Sequence, residues 1–358
     1  MSSKTLEELS WNEFQTMLKK KSRESKIPEM GTFELTPLCN FNCKMCYVHL
    51  SPEEACKQGF IQDADSWIEL GRQVRDAGTL TLLLTGGEVF TRPDFRKIYE
   101  ALSEMGFMII IYTNGYLIDE SVIEWLGKRP PMKLRITMYG ASNETYEKVT
   151  GIKNGYDKVM KAINLIEKTS IPLALAMTVI KDNDCDVEAI KEFAKDHNLL
   201  LNITKGILKS SRGVNTKAEE VRMDISKVIE EEPIKKEKRV RGLYKVLDNT
   251  LDRCSSHNSG YWVKWNGNMT MCALMSKYYS KPFESNFETA WNELCSKLKS
   301  LKRPKKCTGC KYINFCNLCP GIMESETGSP EETSDYLCDK AKALYKKYSI
   351  QYLEEGGI

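Results

Sequence analysis

Thr32-Phe33-Glu34-Leu35-Thr36-Pro37-Leu38-Cys39-Asn40-Phe41-Asn42-Cys43-Lys44-Met45-Cys46-Tyr47 opens as a short strand-forming run, meets a proline, and then sets three cysteines within eight residues. Residues 32–36 read as a strand that Pro37 ends, because proline cannot donate to a ladder. The cysteines therefore sit on a loop leaving a strand's C-terminal end, the end at which α/β barrels carry their catalytic parts. Outward from this stretch, short apolar runs at 80–85, 108–112, 133–138, 173–179 and 200–204 alternate with helical patterns at 63–77, 94–105, 119–126, 155–168 and 187–196. Runs such as MIIIY and LALAMTV are nearly continuous in apolar residues, as strands buried on both faces are. Six β-then-α units predict parallel strands with right-handed crossovers, hence an α/β partial (β/α)6 TIM-like barrel rather than a closed ring of eight. Residues 5–26 add an amphipathic helix in front.

Composition narrows what such a barrel can do. In 358 residues, 52 Lys and Arg face 49 Asp and Glu for a net charge of +3, which argues against a dedicated nucleic-acid binder. No apolar run approaches the roughly 20 residues of a membrane span, and the N-terminus lacks a signal peptide's apolar core, so a cytoplasmic protein is expected. In a reducing compartment, thirteen cysteines beside only three histidines point to metal ligation or redox chemistry rather than disulfides. They fall in two regions, at 39, 43 and 46 and again from 254 to 338. Three thiols without a fourth nearby would leave one iron of an iron–sulfur cluster open to an external ligand. A zinc site completed by His49, at the spacing Cys46-x2-His49, is the alternative at this stage.

Four strand ends then carry the resemblance. The C-x3-C-x2-C loop, with Tyr47 directly after it, resembles the cluster loop of the radical S-adenosylmethionine (SAM) enzymes. The next strand ends in Leu84-Thr85-Gly86-Gly87-Glu88, similar to that family's Gly-Gly-Glu motif. The third ends in Tyr112-Thr113-Asn114-Gly115, and the fourth runs Arg135-Ile136-Thr137-Met138-Tyr139-Gly140, with Thr137 where relatives often carry serine. The resemblance implies a 4Fe-4S cluster on Cys39, Cys43 and Cys46, and SAM held by Tyr47, Gly86, Gly87, Glu88, Asn114 and Thr137. In that reading the glycines let the backbone approach SAM, Glu88 accepts from its ammonium group, and Thr137 offers a hydroxyl.

Further along, Cys254, Cys272, Cys307, Cys310, Cys316, Cys319 and Cys338 resemble the SPASM extension of radical SAM peptide-modifying enzymes. The final pair is spaced by two residues where that family has three. The resemblance implies one or two auxiliary 4Fe-4S clusters, one on Cys307, Cys310, Cys316 and Cys338, the other on Cys254, Cys272 and Cys319 with His257 or an open position completing it. A pair of zinc sites is the alternative, since CxxC…CxxC also suits a zinc ribbon. The expected organisation is thus an N-terminal helical segment at 1–30, the barrel at 31–245, and a loop-rich SPASM domain with a C-terminal helix at 246–358. The charge block EEEPIKKEKRVRG at 230–242 reads as a solvated helix end or linker. Cys295 reads as a small buried hydrophobe, whereas Cys56 and Cys185 lie near the barrel mouth.

The activity that follows by resemblance is reductive cleavage of SAM to a 5′-deoxyadenosyl radical that abstracts hydrogen from a substrate. An external donor such as a flavodoxin or ferredoxin would supply the electron. The stretch ITMYGASNETYEKVTG resembles the peptide-maturase branch and favours a ribosomal peptide as substrate, modified by oxidation, crosslinking or epimerisation. Ala273 stands where sulfatase-maturating relatives have a basic Asp after the cysteine, which counts against that activity. With 38 residues before Cys39, no leader-binding winged helix is expected ahead of the barrel. Two alternatives stay open: an oxidoreductase acting on a small molecule such as a cofactor, haem precursor or sugar, and an iron–sulfur or zinc scaffold without catalysis.

Overall fold

The computed structural model describes residues 11–209, 216–230, 254 and 256–354. Six parallel strands come first: β1 (Met30–Glu34), β2 (Thr81–Thr85), β3 (Met108–Thr113), β4 (Lys133–Met138), β5 (Leu173–Thr178) and β6 (Leu200–Thr204). They lie side by side in chain order, and each pairs in parallel with the next. Among the described residues β6 has a neighbour on one side only, so the sheet curves as a barrel that stays open. Most of the charge block falls outside the described residues.

The sheet is larger than the sequence suggests. β7 (Gly260–Val263) joins it in parallel on the free side of β1, and β8 (Met269–Thr270) pairs antiparallel with β7. A boundary at 245/246 thus leaves two strands of the barrel sheet to the C-terminal segment. β1 is therefore an interior strand, with partners on both edges. Gly31 is dictated by this crowding, because a Cβ there would lie 2.3 Å from the Tyr261 ring.

Among the described residues twelve α-helices accompany the strands. α1 (Trp11–Ser25) precedes β1, and α2 (Pro52–Gln58) and α3 (Ala64–Asp76) fill the first crossover. α4 (Phe95–Glu104), α5 (Glu120–Lys128), α6 (Asn143–Thr150), α7 (Gly155–Ile166) and α8 (Val187–Asp196) cover the outer face of the later strands, followed by α9 (Ile225–Glu230). The C-terminal segment adds α10 (Phe287–Leu298), α11 (Pro320–Thr327) and α12 (Asp335–Glu354). None is long and apolar enough to cross a membrane.

Burial alternates along β3 and β4, and this separates the two faces. Ile109, Ile111, Leu134, Ile136 and Met138 are buried against the helices, with Phe33 of β1 packed 4.9 Å from Trp67 of α3. Ile110, Tyr112, Arg135 and Thr137 are half-buried and line the opposite face, the barrel lumen. The register extends that face to Glu34 and Thr85 on β1 and β2. The outer core is thus aliphatic and aromatic, whereas the lumen is lined largely by polar groups.

Candidate active site

The cysteine loop leaves β1 through Leu35, whose N–H continues the ladder to the Thr85 carbonyl at 2.8 Å. Leu50 closes it by donating from its N–H to the Pro37 carbonyl at 3.1 Å. Between these points the loop rests on the C-terminal end of α6. The Asn42 and Lys44 N–H groups donate to the Thr150 and Val149 carbonyls at 3.0 and 3.1 Å, satisfying acceptors that a helix end leaves open. Gly151 at φ 76° turns the chain away behind them. Lys44 reaches further, placing Nζ 2.6 Å from Asp182 Oδ2, while Lys148 approaches the other oxygen at 3.2 Å. One carboxylate beyond β5 therefore ties the loop to α6.

The three thiols on this loop are electrostatic neighbours of one another. Burial pushes Cys39 up to about 12 and Cys43 well above the ordinary thiol value. Yet backbone N–H groups aim at the sulfurs. Phe41 N–H lies 3.3 Å from Cys39 Sγ, and the Val48 and His49 N–H groups lie 3.4 and 3.2 Å from Cys46 Sγ. Tyr139 also hydrogen-bonds the Cys43 sulfur. A neutral thiol is a weak acceptor, so several donors converging on buried sulfurs suit thiolates neutralised by bound metal. Among the described residues, no three His, Cys, Asp or Glu side chains converge on a point that one metal ion would fill. A multi-iron cluster takes its thiolates at separate corners, and three neighbouring thiols on one wall fit that demand.

Gly86 and Gly87 sit where side chains would collide with neighbouring backbone. A Cβ on Gly86 would lie 2.6 Å from the Thr36 carbonyl oxygen, and one on Gly87 would lie 2.3 Å from that of Leu38. Their bareness lets the loop after β2 press against the stem of the cysteine loop. Gly87 N–H donates to Thr36 at 2.7 Å, and Glu88 N–H to Leu38 at 2.9 Å. The Glu88 carboxyl, 1% exposed, is engaged inside the protein. Oε1 accepts from Thr113 Oγ1 at 2.8 Å and from Phe90 N–H at 3.1 Å, and Oε2 accepts from Asn114 N–H at 2.7 Å. Burial raises its pKa to about 7 against the pull of these donors. Asn114 in turn donates from Nδ2 to Asn40 Oδ1 at 2.9 Å and reaches Cys39 Sγ at 3.8 Å.

The structure thus brings Gly86, Gly87, Glu88 and Asn114 together with Cys39 in one continuous network. Thr137 lies on the lumen face of β4, and Tyr47, directly after the third cysteine, is 38% exposed. Asn40, Tyr139 and the Lys44–Asp182 pair escaped the sequence reading. Asn40 lay within the quoted motif, but its partner comes from a loop 74 residues away.

The C-terminal thiols fall into two neighbourhoods. Cys272, Cys319 and Cys254 sense one another's charge, and burial holds Cys272 up to about 12. N–H groups of Leu274 and Met275 point at Cys272, and those of Gly321 and Ile322, in the first turn of α11, point at Cys319. A helix N-terminus favours a thiolate there. Gly321 is needed beside them, since a Cβ would lie 3.0 Å from Cys272 Sγ. Arg23 of α1 donates to the Cys254 carbonyl at 2.7 Å. Cys307, Cys310 and Cys338 form the other neighbourhood, and Cys316 packs into the same small apolar cluster with Leu318, Met323 and Leu337. Cys56 and Cys185 are exposed, and Cys295 is half-buried on α10.

Residues 33–194 match the family model described as Radical SAM superfamily. Among curated proteins, the chain is 27% identical over 179 residues to the antilisterial bacteriocin subtilosin biosynthesis protein AlbA of Bacillus subtilis, covering 49% of this chain and 38% of AlbA. It is 22% identical over 327 residues to the Fe-coproporphyrin III synthase of Methanosarcina barkeri, covering 80% and 81%. The chain spans less than half the length of the first curated relatives it matches. The crystal structure of Streptococcus suis SuiB bound to S-adenosylmethionine shares the fold, with a TM-score of 0.68 at 16% identity over 93% of this chain and 84% of SuiB.

Proposed function

We propose, from the match of residues 33–194 to the Radical SAM superfamily model, that the chain is a radical SAM enzyme that abstracts hydrogen from a ribosomal peptide undergoing modification. The observation that carries this is the cysteine loop: three neighbouring thiols with backbone donors aimed at their sulfurs, wedged between α6 and the Gly86-Gly87 turn above a polar lumen. Cys39, Cys43 and Cys46 would hold the family's 4Fe-4S cluster. When bound, the cluster and SAM supply one-electron chemistry, namely reductive cleavage of SAM and a 5′-deoxyadenosyl radical able to remove hydrogen.

The protein's own share is placement and exclusion. The α6 carbonyls and the Lys44–Asp182 pair fix the loop, so that its thiols are held before any ligand arrives. Glu88 orients the Asn114 backbone, and Asn114 anchors Asn40 beside Cys39. Tyr47 and Thr137 would contact SAM from the loop and from β4. Phe41, buried against Tyr116 and Tyr139 at 5.5 and 5.7 Å, shields the back of the loop from water. The two C-terminal thiol neighbourhoods would hold auxiliary 4Fe-4S clusters that take an electron from the substrate radical, with an external flavodoxin or ferredoxin feeding the first cluster.

A peptide substrate is supported by the likeness to AlbA, a bacteriocin biosynthesis protein. A haem-precursor substrate is the second reading, favoured by the alignment with the coproporphyrin synthase over four-fifths of both chains. The test is anaerobic reconstitution of the wild type and of a Cys39→Ala, Cys43→Ala, Cys46→Ala triple variant. The wild type should form 5′-deoxyadenosine on reduction, whereas the triple variant should form none and keep its C-terminal iron. Stoichiometric zinc with negligible iron, or deoxyadenosine from the triple variant, would overturn the proposal.

A further inference from the structure

Arg135 stands out on the lumen face. Its guanidinium lies 4.7 Å over the Tyr112 ring, and Nη1 donates to the Tyr112 hydroxyl at 2.6 Å. Nε is buried and has no hydrogen-bond partner. Among the described residues no carboxylate pairs with it, although surface cations up to 81% exposed do find acidic partners. The carboxylate on the same cross-strand row is Glu34, which accepts from Trp262 Nε1 at 2.8 Å. Three strand spacings separate it from Arg135 along the Glu34, Thr85, Tyr112, Arg135 row, roughly 14 Å. On β5 the residues paired with Arg135 and Thr137 are Ala174 and Ala176, neither of which carries a polar side chain to meet the guanidinium.

A half-buried guanidinium forfeits much of its hydration, and a tyrosine ring and hydroxyl restore only part of it. The fork still offers donors in the geometry that matches a carboxylate. We infer that Arg135, braced by Tyr112, is the lumen seat for a carboxylate of the substrate. This rests on the proposed function in taking the lumen as the place where substrate lies, and it adds the chemistry by which substrate is held. An acidic peptide side chain and a porphyrin propionate both present that group.

The test uses the cluster-loaded, SAM-bound protein and two matched probe pairs. One pair is a hexapeptide containing Glu and its Gln counterpart. The other is coproporphyrin III and its tetra-amide. Wild type should prefer an acid over its amide by about tenfold to a hundredfold, the loss expected for one charge-assisted bond. The pair showing the preference identifies the source of the carboxylate. Arg135→Gln should abolish the preference, whereas Tyr112→Phe, which removes the hydroxyl but keeps the ring beneath the guanidinium and the charge, should retain it. Thermal melting of both variants separates loss of ligand from loss of fold. Equal binding of acid and amide by wild type overturns the inference, as does absence of binding by all four probes. So does a preference that survives Arg135→Gln or vanishes equally in Tyr112→Phe. Substrate-free SAM cleavage by the wild type reports separately on the enzymatic reading.

Discussion

Replacing Glu88 with glutamine asks which force governs the carboxyl at the centre of the network. Three donors, from Phe90, Thr113 and Asn114, favour its ionised form, while burial at 1% exposure favours the neutral one. Burial prevails and places the folded pKa at about 7, above the ordinary 4.5. A carboxyl whose pKa is raised on folding stabilises the fold relatively at low pH, and that advantage is lost as pH rises from the unfolded value through the folded one. Between pH 5.5 and 8 the wild type should therefore lose about 2 kcal/mol that Glu88→Gln does not lose, from the roughly 1.5 pH units lying below 7. The amide has its own cost, since its NH2 meets either the Asn114 N–H or the donors at Oε1, roughly 1–3 kcal/mol at every pH. Anaerobic thermal melting of both cluster-loaded proteins across this range should show their midpoints converging by a few degrees as pH rises. A gap between the midpoints that stays constant across the range would mean that the hydrogen bonds hold Glu88 ionised, and would refute the reasoning.

Gly87→Ala should separate the two loops, because its Cβ would sit 2.3 Å from the Leu38 carbonyl oxygen, and should cost about 1–3 kcal/mol; melting together with iron retention at the first site checks it. Cys272→Ser with Cys319→Ser should lower the iron content of the reconstituted protein while leaving reductive SAM cleavage measurable, and unchanged iron would refute a cluster there. Asp182→Asn should cost less than about 1 kcal/mol, since Lys44 and Lys148 are half exposed, and should leave first-site iron in place by elemental analysis.

The barrel was legible because its signals are local. Each of the six strands expected from apolar runs forms, with ends displaced by at most two residues: the first spans Met30–Glu34 rather than 32–36. The cysteine loop and the strand-end motifs were equally readable, being contiguous in sequence. Neither β7 nor α6 was anticipated. Gly260–Val263 is four residues long, and what makes it a strand is pairing with β1 some 230 residues earlier, which no local period records. Gly86 and Gly87 were read as room for a ligand, and that they also admit the backbone of Thr36 to Leu38 was not legible, because that contact joins two loops some 50 residues apart. Glu88 was read as a group facing a ligand; its hydrogen bonds to Thr113 and Asn114, one strand over, have no signature in the local sequence.

The insertion of β7 beside β1 has a consequence for the order in which the molecule can be assembled. During synthesis the strand that carries the cysteine loop emerges early, but one of its edges stays bare until the chain has grown past Val263. An uncovered edge of that kind is a template for pairing with another chain. Closing it is a contact of very high sequence separation, the slowest sort to form. The nascent barrel is therefore most vulnerable to aggregation in the interval before β7 arrives.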